Sequence, residues 1–158
     1  MKNKRVLLID ALNLFIRNYI VDPSLSTNGH PIGGAKGFIK SLQAVCRIIN
    51  PDLILVAWDG GSQKRKSMDK NYKAGRKPVR LNRDIHNMTA GEQEDNKNWQ
   101  QERIIEYLNE MPILQSYVEN VEADDIIALV SQSQALSEHH KIILSSDKDF
   151  IQLCDDTT

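Results

Sequence analysis

The sequence predicts an α/β domain, with a mostly parallel central sheet covered by helices on both faces. Three observations predict it. The runs Val6–Ile9, Leu53–Trp58 and Ile142–Leu144 are continuously apolar, short and rich in Leu, Ile and Val, as in strands buried on both faces. Between them lie stretches with apolar residues three and four apart, the spacing of helices that cover a sheet. Asp10, Asp59 and Asp147 follow the three strands within a few residues. In an open parallel sheet the crevice beyond the carboxyl ends of the strands is where ligands bind.

Taken in order, the segment Leu12–Ile20 places Leu12, Phe15, Ile16 and Tyr19 on one helical face and ends at Asp22-Pro23-Ser24. The turn-rich stretch from Ser26 to Gly34 leads into a second helix, apolar at Phe38, Ile39, Leu42, Val45, Cys46 and Ile49. Asn50-Pro51 stops it before the second strand. From Gly60 to about Asn98 hydrophobic periodicity is lacking, and loops this long inside compact domains usually carry function. A helix over Trp99–Met111 should turn Trp99, Ile104, Ile105 and Leu108 inward. A strand near Ile113–Val118, a helix from about Glu122 to Leu136 and the last strand complete the alternation β-α-β-α-β-α-β. Its crossovers should be right-handed. No internal repeat is present, and residues 1–158 are read as one domain with an insertion at about 60–98.

A chain of 158 residues with 41% hydrophobic content can bury a real core, which excludes general disorder. No apolar run approaches a bilayer span, and Met1-Lys2-Asn3-Lys4-Arg5 leads straight into a short strand without a cleavage site behind it. The expectation is a soluble cytoplasmic protein without a membrane partner. Cys46 and Cys154 lack metal-ligand spacing, and reduced thiols are expected. His30, His86, His139 and His140 form no pair with ligand geometry.

The net charge of −1 conceals a division. Residues 1–83 carry 16 Lys and Arg against 5 Asp and Glu, whereas residues 84–158 carry 4 against 16. Nine of the twenty basic residues lie between Lys64 and Arg83, opposed only by Asp69. A basic block beside an acidic crevice suits a polyanion held by one part and cut in another. A solvated charged loop is the alternative. The glycine-bearing start of the second helix, Gly33-Gly34 with Lys36, offers backbone N–H groups to a phosphate, or serves as a plain turn and cap.

Seven carboxylates are candidate metal ligands: Asp10, Asp59, Glu122, Asp124, Asp125, Asp147 and Asp149. Acids at a helix start also balance the helix dipole, but three within four residues, Glu122-Ala123-Asp124-Asp125, exceed what capping requires. At 100° per residue Glu122 and Asp125 share one side of the first turn, with Asp124 next to them. Like charges gathered in a crevice repel unless protons or cations lie between them, and hard Mg2+ or Mn2+ prefers oxygen ligands.

The segment Val121-Glu-Ala-Asp-Asp-Ile-Ile-Ala128, followed by Ile143-Leu-Ser-Ser-Asp-Lys-Asp-Phe-Ile-Gln-Leu153, resembles the central signature of the 5'-3' exonuclease and flap endonuclease family. That family includes the 5'-nuclease domain of bacterial DNA polymerase I and phage replication nucleases. Leu8-Ile9-Asp10, Gly33 to Phe38, Ala57-Trp58-Asp59 and Tyr72-Lys-Ala-Gly-Arg76 agree in order, and the Ser-Ser-Asp form is more like the phage members. The resemblance spans nearly the whole chain and implies a PIN-like, 5'-nuclease fold. It implies that the seven acids hold Mg2+, or Mn2+ in its place, as two ions roughly 4 Å apart. It implies hydrolysis of phosphodiesters in DNA at a 5' flap, nick or single-stranded 5' end, with an RNA–DNA hybrid and replication proteins as further partners. The location implied is the cytoplasm, that of the host for a phage-encoded protein. Lys73 and Arg76 match basic residues that reach the scissile phosphate from a helix under an arch. Tyr72 would stack on an unpaired base, and Lys64, Arg65 and Lys77 would contact the strand.

Family members continue through another strand, two more metal-site aspartates and a helix-hairpin-helix. The sequence ends before those parts, so one metal site is expected to be fully provided and the second short of ligands. A non-catalytic nucleic-acid-binding remnant and a compact PIN-like ribonuclease stay open as alternatives. A phosphatase is disfavoured because Asp10-Ala11-Leu12-Asn13 has no second acid two residues on.

Overall fold

The computed structural model describes residues 4–61 and 88–158. Among the described residues, four parallel strands form one sheet: β1 (Arg5–Asp10), β2 (Leu53–Trp58), β3 (Leu114–Tyr117) and β4 (His140–Leu144), in the order β3-β2-β1-β4. The described helices are α1 (Ala11–Val21), α2 (Gly33–Ile49), α3 (Ala90–Asn109) and α4 (Ala123–Ser131), with 3-10 segments at Gln134–Leu136 and Lys148–Leu153.

Central β1 explains its own composition. Val6, Leu7, Leu8 and Ile9 are at most 1% exposed because both faces of the strand are covered. Leu7 and Ile9 join Phe15, Phe38, Trp58, Ile104 and Leu108 in the larger core under α1, α2 and α3. Val6 and Leu8 point the other way, onto Ile126, Ile127 and Phe150 beneath α4 and the last 3-10 segment. The chain steps outward from β1 to β2 to β3 with helices on one face. It then returns past β1 to β4 with α4 on the other face, so the crossovers keep one hand. The direction of winding therefore reverses at β1, between its neighbours β2 and β4, and this is the switch point where an open α/β sheet leaves a crevice.

The expected helices on both faces are present, with shifts in the details. Helix α3 starts at Ala90, well before Trp99, because a capping box fixes its first turn. Thr89 Oγ1 accepts from the Glu92 N–H, and Glu92 Oε2 accepts from the Thr89 N–H at 2.6 Å. Its inward stripe is Gln100, Ile104 and Leu108, while Trp99 and Ile105, expected inside, are 44% and 37% exposed. A polar residue holds the inward place because α2 needs it. Gln100 Oε1 accepts from the Ala35 N–H at 3.0 Å, and leaving that amide unpaired would cost about 1–3 kcal/mol. Asn96 Oδ1 in turn accepts from Gln100 Nε2, and Asn96 Nδ2 donates to the Pro31 carbonyl. The helix expected over 122–136 ends at Ser131 and resumes only as a 3-10 turn. Both cysteines are free thiols. Among the described residues no helix is long and apolar enough to cross a membrane.

Candidate metal centre

The acids reach the crevice because each sits where an element ends or begins. Asp10 is the last residue of β1 and the N-cap of α1, its Oδ1 accepting from the Asn13 N–H at 3.1 Å. Asp59 directly follows β2. Its Oδ1 accepts from the Ala123 N–H at 3.2 Å, which caps α4 from 64 residues away. Glu122 is the N-cap residue of α4 and makes no side-chain cap itself, while Asp124 and Asp125 lie in the first turn. One carboxylate oxygen from each of Glu122, Asp124 and Asp125 lies within 4.8 Å of the others. Glu122 is 4% exposed, an unusual place for a carboxylate unless it has a partner.

Electrostatics join this cluster to the strand ends. The Asp10 carboxyl is held above its usual range, chiefly by burial and further by the negative charges of Asp59 and Asp124; hydrogen bonds from Asn13 and Ser145 oppose the shift. Asp124 thus belongs to the helix cluster with Glu122 and Asp125, and its charge also acts on Asp10 at the end of β1. The donors are carboxylate oxygens without nitrogen or sulfur, a set that fits a hard divalent cation better than zinc or copper. The arrangement fits the metal that the sequence implies.

Asp147 and Asp149 stand on the β4 side and are exposed. The Asp147 N–H donates to Ser145 Oγ at 3.1 Å, and that hydroxyl donates to Asp10 Oδ2 at 3.1 Å, so Asp147 is tied to Asp10 through one residue. Its Oδ1 accepts from the Asp149 N–H at 2.9 Å and starts the last 3-10 segment. Among the described residues neither acid joins the set of three.

The residues that hold these acids in place were not among the candidates expected from the sequence. Asn13 Oδ1 accepts from both the N–H and the Oγ of Ser146 at 3.0 Å, fastening the turn after β4 to α1. Ser145 bridges Asp10 and Asp147. Gly60 lies against the turn before α4: its N–H donates to the Val121 carbonyl, and its carbonyl accepts from the N–H of Asn120, whose φ is 62°. The pattern Asp10-x-x-Asn13 and the Asp59-Gly60-Gly61 turn were the available signals.

At the start of α2, Gly33 and Gly34 are buried. A Cβ on Gly33 would run into the Asp22 carbonyl, and one on Gly34 into the Phe15 ring and Gln100 Oε1. Close packing thus accounts for both glycines. Lys36 is exposed, its Nζ donating to Ser24 Oγ at 2.5 Å. Lys64, Arg65, Tyr72, Lys73, Arg76 and Lys77 lie outside the described residues.

Because folding raises the proton affinity of Asp10, its contribution to stability is fully present below the unfolded pKa and is lost as pH rises through the folded value. In EDTA, Asp10→Asn is therefore expected to melt higher than wild type near pH 7 and no higher near pH 4, with the cap retained by asparagine. Saturating Mn2+ should reverse the order at pH 7. Binding at about 100 times Kd adds about 2.7 kcal/mol to wild type alone. Melting curves at both pH values, with and without metal, check this. Equal Mn2+ stabilisation of both proteins would remove Asp10 from the centre.

Residues 5–158 match the family described as the 5'-3' exonuclease, N-terminal resolvase-like domain. The flap endonuclease Xni of Shewanella sp. (strain MR-4) is 30% identical over 154 residues, covering 94% of this chain and 51% of that protein. DNA polymerase I of Borreliella burgdorferi is 29% identical over 153 residues, covering 94% of this chain and 15% of that protein. The chain thus spans about half the length of the flap endonuclease and a smaller part of the polymerase. Among solved structures, the bacteriophage T5 D15 protein co-crystallised with metal ions superposes with a TM-score of 0.72 at 17% identity, over 98% of this chain and 53% of that one. The T5 D15 flap endonuclease complex with DNA and metal ions gives 0.70 at 16% identity. These likenesses establish a shared α/β fold, and the family match over residues 5–158 places this chain in the 5'-3' exonuclease family.

Proposed function

We propose that this domain is the metal-binding catalytic part of a 5' nuclease that hydrolyses phosphodiester bonds of DNA near 5' flaps, nicks and single-stranded 5' ends. The observation that carries the reading is the set Glu122, Asp124 and Asp125, whose carboxylate oxygens lie within 4.8 Å of one another and whose Asp124 charge acts on Asp10 at the end of β1. The names of the relatives, a flap endonuclease and a DNA polymerase I, support the substrate class.

In this reading Asp10, Asp59, Glu122, Asp124 and Asp125 hold Mg2+, for which Mn2+ substitutes, and Asp147 and Asp149 contribute to a second ion from the β4 side. A pair of divalent ions supplies Lewis-acid activation of water and neutralises charge that builds on the phosphate during in-line attack. The carboxylates serve as ligands and not as nucleophiles. Glu122 is buried and Asp10 partly so, which keeps bulk water from part of the ligand set. Asn13 and Ser145 orient Asp10 and the turn carrying Asp147. Lys73 and Arg76 would offset charge on the phosphoryl oxygens. Tyr72 would stack on an unpaired base, and Lys36, Lys64, Arg65 and Lys77 would follow the backbone, whereas the buried Gly33 and Gly34 are taken up by packing and are not proposed to meet a phosphate. RNA–DNA hybrids, replication proteins and a cytoplasmic setting complete the proposal.

The test uses end-labelled flap, nicked and single-stranded DNA and a matching RNA, each with Mg2+, Mn2+ or EDTA. The expected result is cutting near the 5' end or junction of the DNA substrates with either ion and none in EDTA. Salt-sensitive binding without hydrolysis at any metal concentration would make the domain a binding module instead.

A further inference from the structure

Beside the acids lies a cavity of about 340 Å³ whose walls, apart from Asp59 at the rim, are mainly aromatic and amide. We propose that it is a nucleobase pocket, which takes one unstacked base of the strand being cut. The inference rests on the nuclease reading above and extends it to how the strand is held.

The cavity follows from two periodicities meeting. On β3, Gln115 and Tyr117 share a face and pair in register with Val56 and Trp58 of β2. On α3, Gln101, Ile105 and Asn109 recur every four residues and so form one stripe facing them. Trp58 is 7% exposed, stacked on Phe38 at 6.3 Å between ring centroids and nearly parallel, so it is a rigid wall. Tyr117, 63% exposed, is the outer aromatic. Asp59 lies at the rim, which brings the pocket to the edge of the metal centre.

The chemistry of the walls selects the ligand. Gln115 is committed within the wall: its Oε1 accepts from Trp58 Nε1 at 2.8 Å, and its Nε2 donates to the Ile105 carbonyl at 3.1 Å and to Asn109 Oδ1 at 2.7 Å. That last bond fixes the Asn109 amide so that its NH2 group is the donor it presents. Gln101 Nε2 donates to the Lys97 carbonyl at 3.5 Å, which leaves Oε1 as the acceptor of that amide. A cavity with aromatic and aliphatic wall residues and amide groups beside them is complementary to the face and edge of a nucleobase. Among the described residues no lysine or arginine lines the cavity, which favours a base over a phosphate. Its size lies at the small end of ligand pockets, enough for a base and not for a folded partner.

The experiment measures binding and cleavage separately. Flap oligonucleotides carrying one abasic residue, walked along the strand on both sides of the cut position, are titrated in EDTA by anisotropy and cut in Mg2+. Wild type should bind the abasic strand about tenfold more weakly at one position only. Tyr117→Ala and Ile105→Trp, which respectively remove the outer ring and fill the slot, should each abolish that difference, and Tyr117→Phe should keep it. An equal response at every position, or discrimination that survives both variants, would overturn the pocket. Metal-dependent cutting without discrimination removes the pocket alone, discrimination without cutting removes the nuclease reading alone, and absence of all binding removes both.

Discussion

Asp124→Asn is expected to lower metal-dependent cleavage on the order of 10³-fold while nucleic-acid binding in EDTA stays within about twofold of wild type. The size follows from where Asp124 stands. It is within 4.8 Å, oxygen to oxygen, of both Glu122 and Asp125, and its charge is felt at Asp10 across the crevice. One substitution therefore weakens the ligand set, at a cost of several kcal/mol of transition-state stabilisation. The direction for binding is opposite in origin. Without metal the acids repel a phosphate backbone, so removing one negative charge holds affinity level or raises it. The rise in melting temperature with Mn2+ should shrink together with the cleavage rate. Glu138→Gln, an exposed acid in the turn before β4, is the control and should change neither quantity. Cutting at the wild-type rate by Asp124→Asn would show that the acids are a helix-start cluster and nothing more.

The strands and the positions of the acids were legible because burial on both faces leaves little freedom in composition. Val6 to Ile9 had to be apolar throughout, and the residue following such a run in a parallel sheet necessarily opens onto the crevice, as Asp10 and Asp59 do. The clustering of Glu122, Asp124 and Asp125 was legible for a local reason, since a helical first turn fixes their relative directions. What resisted reading was polar and long-range. The first two turns of α3 are stabilised by the Thr89–Glu92 capping box and the Asn96–Gln100 clamp on α2, neither of which has an apolar period. Gln100 consequently took the inward place expected for Trp99. Asn13 and Ser146 are 133 residues apart, and nothing local in either signals the other. The basic stretch holding Lys73 and Arg76 lies outside the described residues, so their assignment rests on the motif Tyr72-Lys-Ala-Gly-Arg76.

Gly60→Ala should be the most disruptive single-methyl change near the centre. It should lower stability by about 2–4 kcal/mol and the melting temperature by roughly 5–12 °C. A Cβ on Gly60 would fall on the Val118 carbonyl oxygen and would sit 2.9 Å from the Val121 carbonyl oxygen, both of them backbone atoms that no rotamer change can move. The chain after β2 must then part from the turn before α4, breaking the Gly60–Val121 and Asn120–Gly60 hydrogen bonds that close it. Asp59 is the next residue back, and its bond to the Ala123 N–H is what fixes β2 against the start of α4. The methyl group should therefore separate Asp59 from the Glu122–Asp125 turn, and the Mn2+-induced gain in melting temperature should fall along with the baseline. Gly91→Ala tests whether the effect is specific to this contact. Gly91 lies in the first turn of α3 with nothing within 4 Å of an added Cβ, so alanine there should be neutral or stabilising by up to about 1 kcal/mol. Loss of stability at Gly60 with an unchanged Mn2+ response would mean that the turn matters to the fold but does not set the position of Asp59.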